Sequence, residues 1–123
     1  MGGTSTDISL VQEGRETTSP GTFLGKFPLE IPAIEVHSIG AGGGSIAEVS
    51  ATGSLQVGPQ GTNAIPGPAC YGKGGTAATV TDANLVLGRL PSELISGKIL
   101  LDTKSAEEAI GQLARLLLSL IHI

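Results

Sequence analysis

The chain has 123 residues, a formal net charge of -4 and seven Lys and Arg residues that are scattered rather than gathered into a stripe. Nothing in it is set to neutralise a phosphate backbone, so nucleic-acid binding is excluded. The longest apolar stretch, near Leu116 to Ile123, is far shorter than the ~20 residues that cross a bilayer, and no membrane partner is expected.

Glycine supplies 19 residues, well above the ordinary share of ~7 %. The aromatic residues are Phe23, Phe27 and Tyr71, with no Trp. A core must therefore rest on Val, Ile, Leu and Ala, and the chain reads as one modest domain belonging to something larger. The single Cys70 leaves no internal disulfide and fits a reducing cytosol, and no basic and apolar leader opens the N-terminus; a cytoplasmic location is the expectation.

In chain order, the opening MGGTSTDISL is a Gly-Gly-Thr turn running into a strand over residues 8–12. Glu13-Gly14-Arg15 reads as a turn and Glu16 to Gly21 as a polar loop. Residues 27–39, FPLEIPAIEVHSI, form an extended region because Pro28 and Pro32 forbid a helix. The alternation of Ile34, Val36 and Ile39 suits a half-buried strand. After GAGGGS at 40–45, SIAEVSATGSLQVG predicts a hairpin closed by Ala51-Thr52-Gly53. Residues 58–76 read as a long Gly/Pro-rich loop. DANLVLGRL predicts a helix capped by Thr81 or Asp82 and stopped before Pro91. A second helix is predicted from Ser105, where Ser105 and Glu108 fit a capping box, through AIGQLARLLL.

The last six residues, LSLIHI, are what the codons CTG TCT CTT ATA CAC ATC encode, a string that matches a transposase mosaic-end adaptor. Segment 118–123 is expected to be read-through into that adaptor, leaving 1–117 as protein; the alternative is an apolar tail that continues the last helix.

Two glycine-rich stretches carry the chemistry. Gly2-Gly3-Thr4-Ser5-Thr6-Asp7 packs two glycines, three hydroxyls and a carboxylate into one turn. Glycine lets main-chain N–H groups approach an anion with no Cβ in the way, and hydroxyls and an acid suit phosphate oxygens and magnesium. An ordinary hairpin turn has the same composition. Gly40 to Ser45 has Gly-x-Gly spacing, but it leads into a period-2 stretch rather than a helix, so a dinucleotide fingerprint fails. What remains is a loop where a ligand or another backbone comes very close. His37 has no companion at metal-ligand spacing, so a half-buried strand histidine is expected, and His122 falls in the doubtful tail. Cys70 reads as a small buried loop residue rather than a nucleophile, Asp82 as a helix cap, and Lys73 lacks the spacing of a P-loop lysine.

Taken together, MGGTSTDISL, HSIGAGGGSIAEV, PGPACYGKGG and TVTDANLVLGRL, in that order, resemble the hydantoinase A/oxoprolinase family over residues 1–102. That family includes ATP-dependent N-methylhydantoinases, 5-oxoprolinases and subunits of acetone and acetophenone carboxylases. The resemblance implies an α/β fold, a fragment of one lobe of an actin-like ATPase (ribonuclease H-like) fold, with strands and hairpins first and two helices after. It also implies that Met1 is internal, that an Asp and a strand precede it, and that the chain is truncated at both ends.

By the same resemblance Gly2, Gly3, Thr4, Ser5 and Thr6 would cradle the β- and γ-phosphates of ATP, and Asp7 would position Mg2+ or the attacked group. Gly42, Gly43, Gly44 and Ser45 would form the adenosine-side loop. Gln60 to Asn63 depart from the pattern of the relatives. The implied reaction is ATP-driven opening of a small cyclic amide or imide, with a hydantoinase B-type subunit or domain as partner; the alternatives are a carboxylase subunit or a non-catalytic interaction module. No metal ligand is assigned. The isolated chain is expected not to hydrolyse ATP, because a two-lobed site cannot preorganise with one lobe.

Overall fold

The computed structural model describes residues 1–95 and 97–121, as two compact units. One comprises Met1–Ser5 and Gly40 onward, the other Thr6–Ile39.

The Thr6–Ile39 unit is a set of nested antiparallel pairs. β1 (Thr6–Ile8) pairs with β8 (His37–Ile39), β2 (Val11–Gln12) with β3 (Arg15–Glu16), β4 (Thr18–Ser19) with β7 (Ala33–Ile34), and β5 (Thr22–Leu24) with β6 (Phe27–Leu29). Glu13 and Gly14 both adopt positive φ (51° and 77°), the two-residue turn whose twist matches a hairpin. The predicted single strand over 8–12 is thus two strands, and the predicted polar loop at 16–21 holds β4 and the end of β3. The extended reading of 27–39 holds, since β6, β7 and β8 all lie within it.

None of the residues of this unit is fully buried. Phe23 and Phe27, each 74 % exposed, leave the two phenylalanines outside any core, and Ile34, Val36 and Ile39 are exposed rather than half-buried as their alternation suggested. His37 is also exposed; its Nε2 lies 3.4 Å from a Glu35 carboxylate oxygen, which corrects the expected half-buried histidine. The physical reason is common to all six. Strands of two or three residues arranged in separate pairs have no second layer within the unit to bury a face.

The larger unit carries the core. β9 (Ser45–Val49) and β10 (Leu55–Gly61) form the predicted hairpin, closed by Ser50 N–H donating to Ser54 O at 2.9 Å, with Gly53 at φ 82°. β10 runs further than expected, with an irregularity between Val57 and Gly61. The segment expected to be one long loop is therefore part strand, and it also contains a short 3-10 helix, Ala69–Tyr71.

α1 (Val80–Val86) is capped by Thr79, two residues before the predicted Thr81 cap, and ends one turn before the predicted stop at Leu90. Thr79 accepts from Asp82 N–H while the Asp82 carboxylate accepts from Thr79 N–H, a reciprocal capping box. The helix ends early because Gly88, at φ 67°, takes the left-handed bend and donates to Leu85 O.

β11 (Glu93–Leu94) and β12 (Ile99–Leu100) pair next, and α2 (Thr103–Ile121) follows. α2 starts two residues before the predicted Ser105, because the Asp102 carboxylate accepts from both Ser105 N–H and Ser105 Oγ. Those bonds, the hydroxyl's first, hold the Asp102 carboxyl below the usual carboxylate range.

The core comprises two small clusters on α2. Ala106 sits with Cys70, Leu85 and Leu101; Ala109 sits with Ala69 and Ala78, with Ile110 and Leu113 packed beside them. Positions 106, 109, 110 and 113 are one face of a helix. Alanine there lets α2 approach the 3-10 helix closely, which fixes the segment 69–71. No helix among the described residues is long and apolar enough to cross a membrane. His122 and the end of segment 118–123 lie outside the described residues.

Candidate functional site

The opening turn and the second glycine loop are built against each other. Gly43 N–H donates to Gly2 O at 2.9 Å and Gly44 N–H to Gly3 O at 2.7 Å. A Cβ on Gly42 would stand 2.6 Å from Gly3 C and 2.7 Å from both Gly3 O and Thr4 N. The close approach expected at Gly42–Gly44 is therefore the main chain of the turn itself.

The remaining polar groups of this loop are engaged too. Gly42 N–H donates to Ser45 Oγ, and Ser45 N–H to Gly42 O. Gly43 O accepts from both Thr81 N–H (2.8 Å) and Thr81 Oγ1 (2.9 Å), so the first turn of α1 holds the loop that holds the turn.

The turn keeps its own donors open. Gly2 N–H donates to Ser5 O, closing the bend. Among the described residues no hydrogen bond engages the N–H of Gly3, Thr4 or Ser5, nor the Thr4 or Ser5 hydroxyl, and all three residues are exposed. Successive main-chain donors in one bend, with no side chain at Gly3, are the elements of an anion-binding nest.

Thr6 and Asp7 begin β1 in the other unit. There the Asp7 carboxylate accepts from the Ser38 hydroxyl of β8, its register partner.

The wall beside the turn comes from the segment after β10. Thr62 N–H donates to Gly44 O at 2.9 Å, and its buried hydroxyl donates to the same oxygen. Asn63 then takes a left-handed backbone, φ 54°. The 3-10 helix beyond is tied down by Asp82, which is completely buried. Its carboxylate accepts from Cys70 N–H at 2.8 Å and Ala69 N–H at 3.3 Å, as well as from Thr79 N–H and Thr79 Oγ1. Asp82 is not the N-cap residue expected but the third helical residue of the capping box, and its one carboxylate also joins the helix start to a loop twelve residues earlier.

Cys70 is buried, as expected. Burial, with the Asp82 carboxylate beside it, pushes its thiol up to about 12. The thiolate is the nucleophile, so Cys70 is inert at neutral pH. The expected result is that iodoacetamide at pH 8 leaves Cys70 unlabelled in the folded parent protein and labels it fully in urea, read by peptide mass spectrometry.

No group of three or more His, Cys, Asp or Glu side chains gathers anywhere among the described residues. The described residues offer no protein cage for a metal. Magnesium, which keeps most of its waters and binds largely through substrate phosphates, needs none, so the open hydroxyls of the turn are compatible with it.

The hydantoinase/oxoprolinase family matches residues 1–120. The chain belongs to the hydantoinase/oxoprolinase family. Among curated relatives, this hydantoinase/oxoprolinase chain is 50 % identical over 111 residues to the caprolactamase subunit alpha of Pseudomonas jessenii, covering 89 % of this chain and 16 % of the relative. It is 42 % identical over 117 residues to the acetophenone carboxylase gamma subunit of Aromatoleum aromaticum, covering 91 % of this chain and 16 % of the relative. The chain thus spans about a sixth of the length of these relatives.

In three dimensions it resembles the ATP-dependent caprolactamase of P. jessenii, with a TM-score of 0.70 and 44 % identity, over 99 % of this chain and 19 % of that one. It also resembles nucleotide-free acetone carboxylase, with a TM-score of 0.71 and 27 % identity, over 94 % and 17 %. The mixed α/β chain, strands first and then helices, is a fragment of the fold those two proteins share.

Proposed function

We infer that the parent protein is an ATP-dependent cyclic amidohydrolase and that the Gly2–Ser5 turn is its seat for the terminal phosphates of ATP. The observation carrying this reading is the set of three unengaged N–H groups at Gly3, Thr4 and Ser5, on a bend braced from behind by Gly42–Gly44. The bend donates to phosphate oxygens through these N–H groups and the Thr4 and Ser5 hydroxyls. Gly42, Gly43, Gly44 and Ser45, whose own N–H groups are engaged within the protein, brace the turn from behind and hold it in shape for the nucleotide. The triphosphate would bring a magnesium ion, which binds largely through substrate phosphates. That ion, when bound, neutralises charge on the transferring phosphoryl group.

The chemistry follows from what makes a cyclic amide hard to open. Its carbonyl is unreactive and its nitrogen leaves poorly. Transfer of the γ-phosphoryl group to the carbonyl oxygen, releasing ADP, creates an activated carbon. Water adds there, the C–N bond breaks with protonation of the nitrogen, and an acyl phosphate remains. A second water hydrolyses it to carboxylate and phosphate. Donors fixed before the reaction stabilise charge that develops on the phosphoryl oxygens. The caprolactamase relative, named as ATP-dependent, supports this reaction class. The relatives named as subunits support a partner subunit of hydantoinase B type. The free, buried Cys70 suits a cytoplasmic protein.

The test is ATP binding by the full-length parent and its Gly3→Val variant, measured by titration calorimetry. A Cβ at Gly3 meets nothing within 4 Å, so the substitution blocks the approach of an anion without disturbing the fold. ATP affinity is expected to fall by about a hundredfold, the loss of two charge-assisted bonds, with an unchanged melting temperature in the absence of nucleotide. Unaltered affinity contradicts the assignment. The similarity to acetophenone carboxylase makes a ketone with bicarbonate the competing substrate, and ADP release stimulated only by that pair decides for it.

A further inference from the structure

A concavity of about 190 Å³ opens directly beside the turn, and its walls are Gly3, Thr4, Asn63, Ala64, Pro68 and Tyr71, with Gly44 behind. Three features make it a built place rather than a surface dent. Its floor shares Gly3 and Thr4 with the open donors of the turn. Asn63 is carried on a backbone whose preceding residue, Thr62, is hydrogen-bonded twice to Gly44 O. Tyr71 follows two residues whose N–H groups are held by buried Asp82. Its ring lies against Gly67, where a Cβ would come 3.0 Å from ring carbon Cδ2. Both side chains therefore stand beside main chain held by hydrogen bonds to buried groups.

If the terminal phosphates of ATP lie on the turn, the occupant of this concavity follows from the order of atoms in the nucleotide. Adenine is separated from the β-phosphate by the ribose and the α-phosphate. It cannot sit against the same two residues that hold the β- and γ-phosphates. What can sit there is the molecule that receives the phosphoryl group. The walls suit such an acceptor: Pro68, Ala64 and the ring of Tyr71 offer apolar surface, and Asn63 supplies the carboxamide.

The carboxamide has a specific complement. Ring closure forces an amide into the cis form, so a lactam presents its N–H and its C=O side by side on one edge. An asparagine side chain carries one acceptor and two donors and pairs with such an edge at two points, as it does with the edge of adenine. The carbonyl oxygen has two lone pairs. The one beside the N–H is used by Asn63, and the other is left for phosphorus. We propose that the concavity is the acceptor subsite and that Asn63 is its specificity-determining residue, selecting a cyclic amide bearing a free N–H, with Tyr71 and Pro68 holding the ring. This rests on the phosphate assignment above.

The test uses the full-length parent with 2-pyrrolidone and ε-caprolactam as probes, each beside its N-methyl derivative. Asn63→Gly removes the carboxamide while keeping the left-handed backbone, and Asn63→Asp keeps the size and that backbone preference but removes the donors. Lactam-dependent ADP release in the wild type is expected to favour the N–H lactam over its N-methyl form by about a hundredfold or more, because a site built around a substrate N–H strongly rejects an analogue lacking it. Asn63→Gly is expected to raise the lactam KM about tenfold or more, to abolish the N-methyl discrimination, and to leave ATP affinity within twofold of wild type. Asn63→Asp is expected to do the same to KM.

Retained discrimination in Asn63→Gly overturns the proposal, as does absence of stimulation by every lactam in the set. Loss of ATP binding in Gly3→Val with normal discrimination in Asn63→Gly overturns the acceptor subsite alone. ATP affinity unchanged in Gly3→Val overturns the phosphate assignment instead.

Discussion

Gly42→Ala is expected to abolish ATP binding by the parent protein while the chain still folds in outline. A single methyl group there would lie 2.6–2.7 Å from three main-chain atoms of Gly3 and Thr4, well inside contact distance. None of the three is the flexible end of a side chain. Either the opening turn is driven off the loop or the loop is driven off the turn, and both break the bonds from Gly43 and Gly44 to Gly2 O and Gly3 O.

Overpacking of this kind costs about 3 kcal/mol. The affinity loss is larger than the stability loss, because the donors of the turn no longer point at one place. Calorimetric titration with ATP beside a urea unfolding curve separates the two. The contrast with Gly3 is the diagnostic part. There the added group meets open space, so the same chemistry one loop away blocks the ligand instead of the fold.

Asp82→Ala is expected to be the most destabilising single change in the α1 region. It removes the acceptor for Thr79 N–H, Thr79 Oγ1, Ala69 N–H and Cys70 N–H in a site with no exposed surface. Losing a cap costs about 1 kcal/mol, and leaving buried N–H groups unpaired adds 1–3 kcal/mol, so the sum is about 4 kcal/mol in urea unfolding. Asp82→Asn is expected to lie between, because one carboxamide oxygen can replace Oδ2 while the NH2 then faces the Cys70 N–H.

A second readout distinguishes this from a generic loss of stability. With the carboxylate gone and the 3-10 helix loosened, Cys70 is expected to become alkylatable under native conditions. The loss also reaches the turn, since Thr81 stands on the same first helical turn and holds Gly43 O.

What the sequence showed and what it hid divide by distance along the chain. The opening turn was legible because all its chemistry lies within Gly2 to Asp7, and the β9–β10 hairpin because its turn residues are adjacent. The start of α1 was misplaced by two residues although Thr79-x-x-Asp82 was there to be read. The neighbouring Thr81 and Asp82 offered a more familiar cap, and the choice between them was made by the bonds of Asp82 to Ala69 and Cys70, which no local pattern encodes. Its end was signalled by Gly88, and the apolar run through Leu90 obscured it.

Asn63 and Tyr71 gave no sign in sequence of lying beside Gly3. Their placement depends on Thr62 bonding to Gly44, eighteen residues away. In the Thr6–Ile39 unit, apolar alternation implied burial, and the short separate strand pairs do not provide it. Fold class was legible from the order of strands and helices together with four motifs of one family.

The most direct measurement is a structure of the full-length parent with a non-hydrolysable ATP analogue and magnesium. The account predicts β- and γ-phosphate oxygens within hydrogen-bond distance of the N–H groups of Gly3, Thr4 and Ser5. A triphosphate seated elsewhere, with those three donors still facing water, contradicts it.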